Sequence, residues 1–158
     1  MSSTDVGGQT VGQTANGLGV DMNLEVVTLP VADVDRAKTF YQSLGWRLDI
    51  DLVISDAVRT VQFTPPHSGC SIQFGKGRTT AEPGSAQANI LVVKDIDAAR
   101  DDLINRGVDV SEVQEMKPPG FDAPGRSYFA RAAFSDPDGN GWELQEITTR
   151  LPGRTWED

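Results

Sequence analysis

The chain has 158 residues, of which 38% are hydrophobic, and its 23 acidic and 14 basic side chains give a formal net charge of −9. A chain of this length buries about two thirds of its unfolded surface, so we expect a single domain. The negative charge argues against binding to nucleic acid or to an anionic membrane surface, since both attract basic proteins. No apolar run approaches the ~20 residues that a membrane span needs.

Cysteine usage and the N-terminal sequence suggest a compartment. A single cysteine, Cys70, excludes an internal disulfide framework and fits a reducing environment. The N-terminal residues lack the basic and apolar segments of a signal peptide. We therefore expect a cytoplasmic protein that acts on a small molecule or on another protein.

The two ends of the chain differ in composition from its middle. Residues 1–22 are rich in Gly, Ser, Thr and Gln and are expected to form a flexible arm, because they offer little apolar surface to bury. Residues 149–158 are expected to form a C-terminal tail, in which Trp156 is available to dock on the body or on a partner chain. The domain itself is predicted over residues 23–148.

The first module of the domain is predicted at residues 23–75. Its first strand is β-branched and apolar, and Asp33 then provides an N-cap whose carboxylate accepts from the first free N–H groups of a helix. Gly45 ends that helix, since it adopts the left-handed conformation without a Cβ clash. Strands are predicted at residues 24–31, 46–54, 58–63 and 70–74.

The second module, at residues 87–148, repeats the plan of the first. Residues 93–99 match residues 31–37 without a gap, and Gly107 falls where this alignment places the counterpart of Gly45. Asp95 is again the helix N-cap, and strands are predicted at residues 87–93, 108–113, 128–135 and 141–147. The sequence thus predicts an α+β fold built from two βαβββ modules in tandem.

These residues resemble the vicinal oxygen chelate superfamily, which includes glyoxalase I, bleomycin resistance proteins, fosfomycin resistance enzymes and extradiol dioxygenases. The resemblance rests on the segment 31–37, on Phe40-Tyr41 and Leu44-Gly45, and on the ending Asp136-Pro137-Asp138-Gly139-Asn140-Gly141-Trp142-Glu143-Leu144. It implies that the paired modules curl into an open barrel-like mixed sheet around a central cavity. It also implies a possible homodimer, because members usually complete their site between two chains or two fused modules.

The resemblance also implies where a metal ion is held in catalytic members. The four ligand positions correspond here to Val26, Gln73, Ala88 and Glu143. Two of these side chains are alkyl groups that cannot coordinate, and the only histidine, His67, lies in a turn remote from the other positions. We therefore expect a cavity without a metal or other cofactor, and neither glyoxalase I nor extradiol dioxygenase activity, since both need a metal.

Glu143 is the main candidate for chemistry. Strand alternation places Glu143 and Gln145 on one face of their strand, and the resemblance implies that this face looks into the cavity. Desolvation among alkyl groups would raise the pKa of Glu143, which suits a general acid or base. The alternative is a former ligand that is now hydrogen-bonded to Gln73 or to water, and Gln73 itself either orients a ligand carbonyl or satisfies Glu143.

The predicted cavity wall is mostly apolar. Strand phase contributes Val26, Thr28, Ala88 and Ile90, whereas the long loop at residues 115–125 and the strand after it contribute Phe121 and Tyr128 as a candidate lid. Arg59 and Arg131 are possible anchors for an anionic group.

Three interpretations of function follow. The first is a protein that binds a small hydrophobic or aromatic molecule, as the resemblance to drug-sequestering members implies. The second is a metal-independent isomerase or lyase with Glu143 as general acid or base. The third is an interaction domain without a ligand, which a filled interior would favour.

Overall fold

The computed structural model describes residues 19–120 and 125–150, together with the backbone of two short strands near the N-terminus. These strands, β1 (Thr4–Val6) and β2 (Gln9–Val11), pair antiparallel within the segment predicted to be a flexible arm. The predicted lid residue Phe121 and the predicted docking residue Trp156 lie outside the described residues. None of the helices in the described part of the chain is long and apolar enough to span a membrane.

The first module folds into a four-stranded mixed sheet with one helix, which we call sheet 1. Its strands lie in the order β3-β6-β5-β4, with β3 parallel to β6 and the other neighbours antiparallel. The elements are β3 (Val26–Thr28), α1 (Val34–Ser43), β4 (Arg47–Ser55), β5 (Val58–Thr64) and β6 (Ser71–Lys76).

The second module has the same topology and forms sheet 2. Its strands lie in the order β7-β10-β9-β8, and β7 is parallel to β10. The elements are β7 (Asn89–Val93), α2 (Ile96–Asn105), β8 (Gln114–Glu115), β9 (Ala130–Ser135) and β10 (Gly141–Glu146). The predicted α+β fold with two similar modules is confirmed.

Both helices begin and end where the sequence predicts. The Asp33 carboxylate accepts from the backbone N–H of Arg36 at 3.0 Å, and the Asp95 carboxylate accepts from that of Ala98 at 3.0 Å. These bonds satisfy N–H groups that a helix start leaves free. The glycines that follow the helices, at 45 and 107, have φ of 79° and 89°, a conformation that side chains with a Cβ rarely adopt.

One core joins the two modules, and it is built from the helix-side faces of both sheets. Tyr41 of α1 contacts Phe74 of sheet 1, with ring centroids 5.6 Å apart, and also contacts Trp142 of sheet 2. Trp46 packs edge-on against Trp142 at 5.3 Å. Because these side chains fill the space between the modules, the face of each sheet opposite its helix is turned outward.

The sheets are therefore not closed into a barrel. We call the outward surfaces the open face of sheet 1 and the open face of sheet 2. Large apolar side chains on them remain exposed, including Ile50 and Leu52 on sheet 1 and Ile90 on sheet 2, which are 40%, 53% and 46% exposed. The central cavity expected between the modules of one chain is replaced by packed aromatic side chains.

The turn at residues 136–140 connects the two modules through hydrogen bonds. The indole N–H of Trp142 donates to the Tyr41 hydroxyl at 3.0 Å, and that hydroxyl donates to the Asp136 carboxylate at 2.9 Å. Asn140 donates to the same carboxylate and to the carbonyl of Pro30, each at 2.8 Å. Burial is the main cause that raises the pKa of Tyr41 far above its usual value, and the nearby charge of Asp136 raises it further. This motif of the resemblance thus has a structural role.

Several predicted strands differ from the structure in their bounds. The strand predicted at residues 24–31 is only β3 (Val26–Thr28), because the Pro30 carbonyl accepts from Asn140 and from the Gly84 backbone instead of a strand partner. The strand predicted at residues 87–93 starts at Asn89, after Ala88 with its φ of 60°. Residues 108–113 are irregular, because Ser111 bonds to Ala133 through its hydroxyl as well as its backbone, and Arg100 binds the Ser111 carbonyl at 2.7 Å. The strand predicted from Tyr128 starts at Ala130, because Tyr128 has a φ of 72° within a turn.

Candidate functional site

The candidate residues of the first module lie together on the open face of sheet 1. Val26 and Thr28 on β3 are register partners of Ser71 and Gln73 on β6, so all four share this face. Gln73 donates to the side chain of Gln62 at 3.2 Å and accepts from Arg78 at 3.0 Å. The Gln73 amide is thus engaged within its own sheet and is not bonded to Glu143.

The candidates of the second module lie on the open face of sheet 2. Ile90 on β7 is the register partner of Glu143 on β10, and Ala88 directly precedes β7. Gln145 is buried and donates to the backbone carbonyl of Tyr128 at 3.0 Å, which ties β10 to the turn before β9. The predicted alternation along β10 agrees with this arrangement, since Trp142 and Leu144 point into the core.

Glu143 forms an ion pair rather than lying among alkyl groups. Its carboxylate accepts from the Arg131 guanidinium at 3.1 Å, and the two side chains are 32% and 47% exposed. Arg131 on β9 is the register partner of Gln145 on β10, so the ion pair of Arg131 with Glu143 lies along the open face of sheet 2. The carboxylate is thus held in place but keeps access to solvent, and Arg131 is engaged by it.

A cavity of about 540 Å³ adjoins this ion pair. Ala88 and Glu143 line it together with Phe40 of α1 and Asp109 from the segment after α2. Among the described residues, its lining includes two carboxylates and no lysine or arginine, and Arg131 beside it balances the charge of Glu143. The remaining charge of Asp109 favours a neutral or cationic molecule. The lining residues come from the second module and from α1, so the open face of sheet 1 lies apart from this cavity.

Three non-glycine residues of the described chain have a positive φ, and two of them are second-module candidates, whereas the third, His67, lies in a turn of the first module. Ala88 has a φ of 60° and Tyr128 a φ of 72°, in the left-handed region where a Cβ costs free energy. Strained non-glycine residues concentrate at binding and catalytic sites, where the surrounding structure holds them. Nothing in the sequence pattern distinguishes these two residues as strained.

The residues at the ligand positions do not fit a metal ion. Val26 and Ala88 carry no donor atom, and Gln73 and Glu143 lie on different sheets, each engaged by an arginine. Within residues 19–120 and 125–150, no group of three or more His, Cys, Asp and Glu side chains is arranged to hold a metal. Chelation by this donor set is therefore not available within one chain.

Three other residues considered from the sequence have different surroundings. Arg59 lies on the helix side of sheet 1, where it pairs with Asp51 at 3.0 Å and Asp35 at 2.8 Å, so it faces away from the candidate site. Partial burial, aided by the Glu25 charge, raises the pKa of the Cys70 thiol, which disfavours the reactive thiolate. His67 is exposed in its turn.

Sequence reasoning missed the polar side chains between β4 and β6. Gln62 donates to Asp49 at 3.3 Å, and Thr64 donates to the same carboxylate. The alternation of side chains along β5 could have predicted the position of Gln62. It lies between Val61 and Phe63, which are buried beneath α1, so its side chain points to the opposite face of the sheet. Asp49 could not be assigned in this way because the register shifts between Leu48 and Ile50.

Comparison with known proteins agrees with the fold. The family described as Glyoxalase/Bleomycin resistance protein/Dioxygenase superfamily matches residues 23–144. No curated protein sequence matches the chain.

Several solved structures are similar over most of their length. One is TnmS3, described as an antibiotic binding protein from Streptomyces sp. CB03234, with 28% identity, a TM-score of 0.66, and 82% of this chain and 99% of that chain covered. A glyoxalase/bleomycin resistance protein from the same organism has 30% identity, a TM-score of 0.61, and coverages of 78% and 99%. A superfamily member from Sphaerobacter thermophilus DSM 20745 has 28% identity, a TM-score of 0.59, and coverages of 80% and 98%.

Proposed function

We propose that this chain, which belongs to the Glyoxalase/Bleomycin resistance protein/Dioxygenase superfamily, binds a small hydrophobic or aromatic molecule on the open faces of its sheets, without a metal. The observation that carries the proposal is the exposure of large apolar side chains, Ile50, Leu52 and Ile90, on faces that also hold oriented polar groups. Such a combination is typical of small-molecule sites. The similar structure described as an antibiotic binding protein supports sequestration.

A second copy of the chain is proposed to complete the site. The two open faces of one chain point away from the shared core, so one small ligand cannot contact both. Contact between the open face of sheet 1 in one copy and that of sheet 2 in another would enclose the ligand from both sides. A homodimer with twofold symmetry forms two such enclosures.

Glu143 is proposed to act as a binding group in this site. Its ion pair with Arg131 leaves the carboxylate accessible, and the adjoining cavity carries a second carboxylate, Asp109. A cationic or neutral aromatic ligand fits these charges. The acid–base alternative requires turnover, and Glu143→Gln distinguishes the two, because the substitution should weaken binding only modestly in a binder but slow turnover by about a hundredfold or more in an enzyme.

Substitution of one exposed isoleucine tests the proposal. Ile90→Asp places a charge on the open face of sheet 2 and is expected to weaken binding of the neutral dye Nile red about tenfold, because apolar contact area is lost. Ile104→Asp is the matched control, since Ile104 is 41% exposed on α2 and Ile90 is 46% exposed. Dye fluorescence titration measures both. Equal weakening by the two variants would contradict binding at the open face.

Metal content is tested separately. Protein purified without chelator is expected to contain far less than one transition-metal ion per chain by elemental analysis, and chelator treatment should leave dye affinity unchanged, since the ligand positions include two alkyl side chains. Stoichiometric zinc, iron or nickel that is lost together with dye binding would refute the metal-free site.

A further inference from the structure

A continuous hydrogen-bond chain crosses the open face of sheet 1 from a cation to an anion. The Arg78 guanidinium donates to Gln73 Oε1 at 3.0 Å, Gln73 Nε2 donates to Gln62 Oε1 at 3.2 Å, and Gln62 Nε2 donates to Asp49 Oδ2 at 3.3 Å. Two amides are thereby aligned head to tail across neighbouring strands.

Asp49 fixes the direction of this chain. A carboxylate only accepts, so Gln62 must present its nitrogen to Asp49 and its oxygen to Gln73, and Gln73 must present its oxygen to Arg78. The donor direction at both ends excludes the flipped amide orientations that are otherwise possible for glutamine. The orientation of both side chains therefore follows from the charges at the two ends.

A second chain ends at the same carboxylate. Thr64 must donate its only hydroxyl proton to Asp49, so Ser71, 2.7 Å from Thr64, must donate to Thr64. Arg47 binds the other carboxylate oxygen at 2.6 Å. Burial acts to raise the pKa of Asp49, but hydrogen bonds from Thr64, Arg47 and Gln62 outweigh it, so this pKa lies below its usual value. The carboxylate is therefore ionised at neutral pH.

The chain leaves donors on a face that also carries exposed apolar side chains. Each amide uses one of its two N–H groups in the chain, so one N–H on Gln62 and one on Gln73 remain. These residues are register partners on neighbouring strands, which lie about 4.8 Å apart. Val26 and Ile50 share this face. An apolar ligand that covers the two N–H groups without pairing them loses free energy, whereas an oxygen acceptor satisfies them.

We propose that Gln62 and Gln73, oriented by Asp49, select ligands that carry a carbonyl oxygen on a flat apolar body. This inference rests on the proposed function, because it concerns the same open face. It assigns Gln73 a role different from the one its place in the superfamily implies: it offers an amide donor where catalytic members offer a metal ligand. Asp49 is then a positioning residue, and the two glutamines contact the ligand.

The test compares two bicyclic probes of similar size, coumarin with a lactone carbonyl and naphthalene without one. Wild-type protein is expected to bind coumarin about tenfold more tightly than naphthalene, as measured by displacement of Nile red. Gln62→Leu and Gln73→Leu should bring the ratio of the two affinities close to one while naphthalene binding is kept. Asp49→Asn, which preserves side-chain volume, should reduce the ratio because the orienting charge is lost.

Gln42→Leu is the matched control, since Gln42 is an exposed glutamine on α1, and it should leave the ratio unchanged. Equal affinity of the wild-type protein for the two probes would overturn the inference. This comparison uses no variant, so it remains valid even where a variant fails to fold. A coumarin preference that survives both leucine substitutions would overturn it as well. If neither probe displaces the dye, the proposed binding function of this face fails instead.

Discussion

The backbone of Ala88 marks the start of β7 and one end of the candidate site. Its φ of 60° is unusual for alanine, and the residue is exposed beside the cavity that Glu143 also lines. A Cβ in this conformation costs roughly 1–2 kcal/mol, so neighbouring contacts must hold the residue there. The strain is consistent with a position where backbone shape matters more than side-chain chemistry.

Replacement of this alanine by glycine is expected to stabilise the protein. Ala88→Gly removes the Cβ clash, and after the added entropy of the unfolded chain the free energy of unfolding should rise by about 0.5 kcal/mol. Ala133→Gly is the control, because Ala133 is exposed within β9 and should lose about 0.5–1 kcal/mol. Urea denaturation of both variants measures the difference. Destabilisation by Ala88→Gly equal to that of the control would refute the strain.

Residue chemistry is predictable from the sequence only where a local rule applies. The side chains of Val26 and Ala88 are alkyl groups without a donor atom, so the sequence alone argues against metal ligands at these positions whatever the fold. The partner of Glu143 is not predictable, because Arg131 meets it only through the register of β9 and β10. The same holds for Asp49 and Gln62, which a register shift in β4 brings together.

At the scale of elements, short-range signals are sufficient for the helices. Aspartate caps and terminal glycines act within one turn, and both helices follow them. The strands are less predictable where a side chain replaces a ladder bond, as Ser111 does beside β9, or where a turn needs a positive φ, as at Tyr128. The hydrophobic periodicity of the sequence predicts neither the Ser111 hydrogen bond nor the positive φ of Tyr128.

A charge cluster attaches α1 to sheet 1 and makes stability depend on pH. Asp51 on β4 accepts from Lys38 at 2.8 Å and from Arg59 at 3.0 Å, and Arg59 also binds Asp35 of α1. The hydrogen bonds from Arg59 and then Lys38 lower the pKa of Asp51 to about 2. Since the folded-state pKa is lowered, this stabilisation is present above the unfolded pKa of about 4 and is lost as pH falls toward 2.

Asp51→Asn is therefore expected to lower the free energy of unfolding by about 1 kcal/mol at pH 7, a modest value because solvent screens the cluster. The difference from wild type should shrink below pH 4 and vanish only below pH 2, where Asp51 is protonated in the folded protein as well. Denaturation at a series of pH values measures it. Asp102→Asn is the control, since its pair with Arg106 is a more exposed contact within α2 and should cost less than about 0.5 kcal/mol. A pH-independent loss for Asp51→Asn would contradict the electrostatic origin.

At the scale of the whole molecule, the duplication has an unexpected consequence. Two similar modules suggest a cleft between them, yet here the helix-side faces meet around Tyr41 and Trp142 and leave the opposite faces uncovered. The Asp136–Asn140 turn strengthens that contact through the Tyr41 hydroxyl and the Pro30 carbonyl. Under the proposed function, each of these faces carries half of a site, and a second copy supplies the missing half.

Mixed dimers test this composite site. If each site combines sheet 1 of one copy with sheet 2 of the other, Leu52→Asp alone and Ile90→Asp alone each damage both sites of their homodimer. A mixed dimer then holds one site with both changes and one with neither, so equal mixing should restore about a quarter of the wild-type dye-binding capacity. Dye titration before and after subunit exchange measures this, with light scattering to verify the dimer. The control is a mixture of Ile104→Asp and Leu52→Asp proteins. Because Ile104 lies outside the proposed site, this mixture measures the recovery that comes only from adding chains with intact sites. Exchange without any recovery of tight sites, or a monomer at all concentrations, would place each site within a single chain.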